Sequence, residues 1–413
     1  MSAPIDAAQA AFPQWAARPA SKRRDLLYAA ADLLDSRVDA YAKAMAAETG
    51  GAAAWAAANV AVTAGNMRLA AGMAQVPVGE LVSTDRPGEW SFAVRQPVGV
   101  VVAITPWNAP LILCSRGIMV PLVLGNTVVL RPSEEAPISS GVFLAETLSD
   151  AGLPDGVLNV VVNERADAPR VIEGLIADPR VRRVNFTGST QVGRIIGELA
   201  GKHLKPALLE LGGKNPAIVC DDADIERAAS AITYARYMNS GQICLSIDRV
   251  ILHEAIAQRF TDELVAQVGA LWNGNGARNL AGPEPIRAPL INDRAVDRVT
   301  GLVQDALSRG AKLLAGAERA NGRIFPPTVL AGITPDMRIY REETFGPVAC
   351  LFTVRDDEAA IALANDTDYG LTSAVFTSDA ARGLAIGRRL AHGCTHINCH
   401  TIKEDAEAPI GGL

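Results

Sequence analysis

Cysteine, histidine and basic charge are all sparse in this 413-residue chain. It has six cysteines and five histidines, and 39 Lys and Arg against 45 Asp and Glu leave a net charge of −6. Six cysteines scattered along so long a chain are not a disulfide framework and suit a reducing compartment. The acidic balance, with no Lys/Arg stripe interleaved with aromatics, argues against a nucleic-acid partner. No run of about 18 uncharged apolar residues is present to span a membrane. Asp6, Pro13 and the Lys22-Arg23-Arg24 cluster stand in the wrong order for a secretory signal. The expected location is the cytoplasm, with neither membrane nor nucleic acid as partner. Neither a short-period repeat nor a low-complexity tail is visible.

What is present is an ordinary globular composition, 49% apolar and 20% charged. At about 150 residues per domain the length suggests two to three domains. Residues 21–48 carry Leu26, Leu27, Ala30, Leu33, Leu34, Val38 and Tyr41 at helical spacing, with Ser21 as N-cap and Gly50-Gly51 as stop. A second, alanine-rich helix is expected over 52–74. Residues 77–97 alternate around Pro87-Gly88 and read as a hairpin. From Val98 short apolar strands alternate with helices: strands at 98–104, 127–130, 157–162 and 181–186, helices at 110–124, 138–151, 171–177 and 191–200. The alternation resumes beyond residue 211, with strands at 217–219, 248–252, 311–314, 349–354, 372–376 and 394–398. Helices are expected there over 224–237, 255–271, 293–309, 357–364 and 379–390, with a Gly/Pro/Asn-rich loop over 273–289. This pattern predicts two doubly wound, mostly parallel α/β domains plus the hairpin.

Six segments can carry chemistry. Glu210 stands at the end of an apolar strand and precedes Leu211-Gly212-Gly213-Lys214; the apolar flanks would desolvate it and fit it to act as a general base. Cys244 ends the small loop Asn239-Ser240-Gly241-Gln242-Ile243, where a nucleophile can be displayed. Thr105-Pro106-Trp107-Asn108-Ala109-Pro110 follows a buried strand, at the end where open α/β sheets bind ligands, and the Asn108 amide can donate to an oxyanion. Phe186-Thr187-Gly188-Ser189 and Gly193 lead from strand to helix, and backbone N–H groups at that helix start suit a pyrophosphate. The spacing is neither Gly-x-Gly-x-x-Gly nor a P-loop. Arg131-Pro132-Ser133-Glu134 leaves a strand with a charged pair whose carboxylate can take ribose hydroxyls and repel a 2′-phosphate. Glu342-Glu343-Thr344-Phe345-Gly346-Pro347 sets a carboxylate beside a ring. Each segment alone is also explained as a turn, a core cysteine or a salt-bridged strand exit.

Together, in their order along the chain (105–110, 131–134, 186–193, 210–214, 239–244 and 342–347), the six segments resemble the aldehyde dehydrogenase superfamily, from about residue 10 to the last. The resemblance implies an aldehyde-dehydrogenase-like fold. Residues 1–76 and 98–210 would form an NAD-binding domain and 211–395 a catalytic domain. Residues 77–97 with 396–413 would form an oligomerisation element. It implies Cys244 as nucleophile, Glu210 as general base, and Asn108 with the Cys244 backbone N–H as oxyanion hole. Thr105, Pro106, Trp107, Arg131, Ser133, Glu134, Phe186, Thr187, Gly188, Ser189, Gly193, Leu211, Gly212, Glu343 and Phe345 would hold the cofactor, NAD. A Cys244 thiohemiacetal would give up hydride, and the thioester would be hydrolysed to the acid. Having Glu210 argues against members that pass the acyl group to coenzyme A.

Ala109, where many members have Phe, resembles the aromatic-aldehyde branch, whose substrates are of the benzaldehyde, vanillin and salicylaldehyde type. Arg116 stands where many have Trp and could meet an acidic or phenolic substituent. Ile243, Leu245, Cys399 and His400 complete the expected pocket. Arg131 for Lys and Gly117 for Lys depart from the family pattern. So do the start, several dozen residues late, and the stop at Ile410-Gly411-Gly412-Leu413, inside the family's Pro-Phe-Gly-Gly motif. Family members are dimers or tetramers. The C-terminal strand that pairs with a partner's sheet is expected to be missing, leaving hairpin 77–97 with an unpaired edge. Three alternatives remain: a chain that binds cofactor without turnover, a zinc protein using His392, Cys394, His396, Cys399 and His400, and a preference for NADP, which Glu134 disfavours. No metal is expected.

Overall fold

A computed structural model describes residues 2–272, 288–317, 322–403 and 405–412. Most of the expected loop 273–289 lies outside the described residues, as does Leu413. The chain divides into two compact units, residues 1–48 with 56–209, and residues 49–55 with 210–413.

The first unit opens with helices α1 (Ser2–Ala17), α2 (Ala20–Asp35), α3 (Val38–Thr49) and α4 (Ala53–Gly72). The single helix expected over 21–48 is two helices. The break falls at Ser36, whose hydroxyl donates to the Leu33 carbonyl at 2.6 Å and closes the turn. Pro19, not Ser21, precedes α2. Helix α1 has no counterpart in the sequence pattern because Pro13 lies inside it. The hairpin forms as β1 (Gly79–Val82) and β2 (Ser91–Val94), antiparallel, with Gly79 opposite Val94. It stands out from the unit, with Trp90 72% and Phe92 68% exposed.

The sheet of this unit contains β3 (Val100–Thr105), β4 (Thr127–Pro132), β5 (Leu158–Val160), β6 (Val181–Thr187) and β7 (Ala207–Glu210), in the order β5-β4-β3-β6-β7. Strand β3 is central, buried along its length, and parallel to β4 and β6. Its uninterrupted Val-Val-Val-Ala-Ile run is what two covered faces demand. Helices α5 (Pro110–Val123), α6 (Phe143–Asp150), α7 (Ala168–Ala177) and α8 (Thr190–Lys202) connect the strands. Pro110 opens α5, where a missing N–H costs nothing. Gly117 lets α5 lie close on β3, since a Cβ there would stand 3.3 Å from Thr105 Cγ2. Trp15 Nε1 and Arg23 Nε donate to the Leu122 and Val123 carbonyls at 2.9 and 2.8 Å, satisfying the last turn of α5. Strand β7 ends at Glu210, where the sequence places a carboxylate at the end of an apolar strand.

The second unit holds β8 (Asn215–Val219), β9 (Ile247–His253), β10 (Lys312–Ala315), β11 (Thr328–Ala331), β12 (Val348–Val354), β13 (Thr372–Phe376) and β14 (Cys394–Ile397). The order is β10-β11-β12-β9-β8-β13-β14. Only β10 is antiparallel to its neighbour. Helices α9 (Ile225–Tyr237) and α10 (Ala257–Trp272) supply Ala228, Ile232, Phe260 and Leu264 to one core. Helices α11 (Asp293–Ser308), α12 (Arg338–Arg341), α13 (Asp357–Asn365) and α14 (Ala380–Gly387) supply Val299, Leu302, Ile339, Ile361 and Ile386 to another. Strand β11, squeezed behind Pro326-Pro327, is a further addition to the expected elements.

Two expected boundaries are corrected. Residues 49–55 join the second unit, because Gly50 packs against the ring of Pro289 and Trp55 against the Ile243-Leu245-Leu371 cluster. Strand β14 is part of the second sheet, so His396 and Ile397, expected in an element with the hairpin, belong to the second unit.

Asn126 sets the start of β3. Its Oδ1 accepts from Val98 N at 2.7 Å and Gly99 N at 3.3 Å, and its Nδ2 donates to the Pro121 carbonyl at 3.1 Å. Asn126→Ala should lower stability by about 1–3 kcal/mol by orphaning these groups. Urea unfolding checks this: the midpoint falls with an unchanged slope, and an unchanged midpoint would contradict the role.

Candidate active site

The strand order of the first unit reverses at β3, from which the chain runs outward to β4 and β5 and then returns to β6 on the other side. Crevices for ligands open at such a point, beyond the carboxyl ends of the strands. The candidate residues of this unit collect there. Thr105 ends β3, and Pro106, Trp107 and Asn108 turn into α5, with Ala109 in its N-cap position. Asn108 is only 5% exposed. Arg131 near the end of β4 donates from Nη2 to Glu134 Oε2 at 2.7 Å and from Nε to Asn163 Oδ1 at 2.9 Å. Burial works to raise the Glu134 carboxyl, but its backbone hydrogen bond and Arg131 outweigh that and hold it below the usual carboxylate range. Ser133 Oγ accepts from Glu135 N at 3.2 Å. Beyond β6, the Phe186 ring lies so close to Gly188 that a Cβ there would meet it at 2.5 Å. Ser189 caps α8 by accepting from Val192 N, and Gly193 is buried in its first turn.

These residues fit a dinucleotide. A carboxylate kept charged suits ribose hydroxyls, and a glycine turn before a helix N-terminus suits a pyrophosphate. At that N-terminus the Thr190 hydroxyl is buried and finds no hydrogen-bond partner among the described residues.

In the second unit the Cys244 loop is wound unusually. Asn239 and Ser240 have φ of 48° and 54°, and Gly241 has φ of 70°. At Gly241 the conformation and the space both require glycine, since a Cβ would stand 2.4 Å from Arg236 Nη2 and 2.5 Å from the Gly346 carbonyl oxygen. Three left-handed residues persist only if their surroundings fix them, and the contacts do so. Ser240 Oγ donates to the Ala288 carbonyl at 2.5 Å. Gln242 accepts from Ile291 N at 3.0 Å and donates to the Pro289 carbonyl at 3.1 Å. Asn215 Nδ2 donates to the Cys244 and Ser246 carbonyls at 2.7 and 2.9 Å. Ile243 and Leu245 are buried against Leu371, while Cys244 between them is partly exposed.

Below this loop lies a buried polar network. Asp248, 2% exposed, pairs with Lys214 Nζ at 2.8 Å and has Arg236 Nη1 at 3.7 Å. It also accepts from Thr344 N at 3.0 Å and Thr344 Oγ1 at 2.9 Å. Burial opposes the charge, but the two cations and the hydrogen bonds prevail and keep the Asp248 carboxyl below its usual range. Arg236 donates to the Ile247 carbonyl at 3.1 Å and also to the Gly346 carbonyl. Arg298 donates to the Glu343 and Thr344 carbonyls at 2.8 and 2.7 Å. So held, Glu343 Oε1 accepts from Gly213 N at 3.0 Å. Its carboxyl occupies the space above Gly212, where a Cβ would come within 2.4 Å of Oε2. Burial pushes the Glu343 carboxyl up to about 7, against the pull of the Gly213 hydrogen bond.

The second unit thus gathers Cys244, Gly212, Glu343, Ile243 and Leu245. Leu211 lies beside Gly212, and Phe345 beside Thr344 with φ of 41°. Glu210 ends β7, its Oε1 3.4 Å from where a Gly411 Cβ would stand. Leu245 and Cys399 line one cleft of about 310 Å³ with Leu371, Cys394, His396 and Thr401. His400 is not among its lining residues; its ring packs on Tyr234 at 4.8 Å and its Nδ1 accepts from Lys403 N. Ala109 and Arg116 belong to the first unit, at and within α5. Cys394 Sγ and His396 Nε2 are 3.5 Å apart. Among the described residues no three His, Cys, Asp or Glu side chains are placed to hold a metal ion, so the zinc alternative finds no ligand set. Nor is any helix among them long and apolar enough to cross a membrane.

Asn163, Asn215, Arg236, Asp248 and Arg298 join the site without having stood out in the sequence. Asp248-Arg249 inside an apolar strand is a readable signal, since a charge there must be paired. Arg236 and Arg298 give none, as they sit in ordinary amphipathic helices.

Comparison with known proteins bears on this arrangement. The model of the aldehyde dehydrogenase family matches residues 1–413. A vanillin dehydrogenase from Pseudomonas fluorescens is 46% identical over 411 residues, covering 100% of this chain and 84% of that protein. A benzaldehyde dehydrogenase (NAD+) from Pseudomonas putida is 38% identical over 418 residues, covering 100% and 83%. The crystal structure of a salicylaldehyde dehydrogenase from Pseudomonas putida G7, complexed with salicylaldehyde, superposes with a TM-score of 0.95 at 40% identity. That match covers 99% of this chain and 84% of that one.

The Glu343 environment makes a pH prediction. A carboxyl raised from 4.5 to about 7 is still protonated in the fold where the unfolded chain has already ionised. Its contribution to stability is therefore full below pH 4.5 and is lost as pH rises to about 7. Denaturant unfolding of wild type against Glu343→Gln should show wild type losing relative stability across that window and levelling above it. A flat difference would refute the buried carboxyl.

Proposed function

The chain belongs to the aldehyde dehydrogenase family, and on that premise we propose that it oxidises an aromatic aldehyde to the carboxylic acid with NAD. The family acts on aldehydes as an oxidoreductase and uses NAD or NADP. The observation that carries the reading is the Cys244 loop, an otherwise costly left-handed turn, fixed on several sides, that leaves one partly exposed thiol. Loops so constrained are found where chemistry needs them.

In this reading the Cys244 thiolate attacks the aldehyde carbon and forms a thiohemiacetal. The Asn108 amide and the Cys244 backbone N–H stabilise the developing oxyanion. When bound, the nicotinamide supplies the hydride acceptor. Glu210 takes a proton from water, which attacks the resulting thioester and releases the acid and the free thiol. Thr105, Pro106, Trp107, Arg131, Ser133, Glu134, Phe186, Thr187, Gly188, Ser189 and Gly193 hold the adenosine and pyrophosphate side. Leu211, Gly212, Glu343 and Phe345 hold the nicotinamide side. The charge kept on Glu134 favours NAD, because a 2′-phosphate beside it would be repelled. The aromatic substrate is supported by relatives named for vanillin, benzaldehyde and salicylaldehyde. The small side chain of Ala109 supports it too, and of the other residues expected in a pocket Leu245 and Cys399 line the cleft of the second unit.

Purified protein should form NADH with vanillin, salicylaldehyde or benzaldehyde faster than with a short aliphatic aldehyde, and faster than it forms NADPH. Cys244→Ala should abolish turnover, and Glu210→Gln should leave a burst of NADH followed by slow release. Aliphatic preference would overturn the substrate, and turnover by Cys244→Ala would overturn the mechanism.

A further inference from the structure

Asp248 lies four residues beyond Cys244, on β9, and neither of its oxygens is free. Oδ1 accepts from Lys214 Nζ at 2.8 Å and Thr344 Oγ1 at 2.9 Å, and Oδ2 accepts from Thr344 N at 3.0 Å. Lys214 also donates to Thr344 Oγ1 at 3.2 Å, so the three side chains form a closed ring of hydrogen bonds. Lys214 comes directly after Gly213, whose N–H holds the Glu343 carboxyl, and Thr344 directly after Glu343. Segments 212–214 and 343–346 are therefore joined twice, once by Glu343 and once through Asp248. Only the second join is independent of the Glu343 carboxyl. Arg236, 3.7 Å from Asp248, carries the same anchorage to the Gly241 and Gly346 carbonyls.

We infer that Asp248 is a positioning residue for hydride transfer. Through Lys214, Thr344 and Arg236 it presets Glu343 and the Cys244 loop without touching substrate or cofactor. The inference rests on the reading of Cys244 as nucleophile and Glu343 as the nicotinamide-side carboxylate. Stability alone does not call for such a cluster, since well-packed apolar groups often serve a fold as well as buried ion pairs do. This cluster lies between the two segments whose relative placement the reaction needs, and a misplacement of about 1 Å there can cost about 100-fold in rate.

Asp248→Asn keeps the shape but turns an NH2 group or a single oxygen toward Lys214 and Thr344. The variant should bind ADP-ribose as wild type does and bind NADH about tenfold more weakly. Its kcat should fall about 100-fold with the aldehyde KM changed less than about threefold. With C1-deuterated aldehyde its isotope effect should exceed that of wild type. A purely structural role would lower the melting temperature and leave the isotope effect and the NADH to ADP-ribose ratio alone. Thr344→Val should show the same defects, and Thr344→Ser should recover most of the loss. Folded Asp248→Asn with wild-type kcat, isotope effect and NADH binding overturns the inference. If that variant does not fold, wild-type behaviour of Thr344→Val, or defects that Thr344→Ser fails to recover, overturns it. Cys244→Ala and Glu343→Gln separate the two claims. Full turnover in either defeats the parent reading, whereas their loss beside an unaffected Asp248→Asn defeats this inference alone.

Discussion

A single buried carboxylate organises the second unit. Asp248 sits among Lys214, Arg236 and Thr344, and each of these leads by the backbone to a functional segment. Taking such charges out of water is expensive, and removing one partner is worse than never having buried the pair. The consequence is rigidity: the glycine turn at 212–213, the Glu343 segment and the Cys244 loop can shift only together. Asn215 extends the same logic in neutral form, bracing the Cys244 and Ser246 carbonyls and accepting from Thr372 N at 3.3 Å.

The first unit places its functional groups differently. There the parallel sheet sets the positions, because β4, β3 and β6 end side by side and their exits fall next to one another. Little side-chain crosslinking is needed beyond the Arg131-Glu134-Asn163 group. Backbone topology gives the site of one unit, and a polar network gives that of the other.

This contrast explains what the sequence could tell. The α/β architecture was legible because buried parallel strands such as Val100–Thr105 are unbroken apolar runs and the helices carry amphipathic periods. The site segments were legible because glycine, proline and a lone charged or thiol side chain interrupt those runs at strand ends. Partners distant in sequence were not. Arg236 reaches Gly346, and Lys214 reaches Thr344, through contacts that no local pattern encodes. The split of the 21–48 helix was hidden for a similar reason, a hydroxyl competing for one carbonyl. The allegiance of residues 49–55 depended on Pro289, more than two hundred residues away.

The wound loop before Cys244 also orders events in time. Its anchors are Ala288, Pro289 and Ile291 downstream, and then Gly346, which lies 110 residues beyond Arg236. During synthesis Cys244 emerges from the ribosome long before any of them. Until those anchors have docked, residues 239–241 lack the downstream contacts that help fix their left-handed form. The full set of contacts around the thiol therefore requires chain as far as Gly346, most of the way through the second sheet.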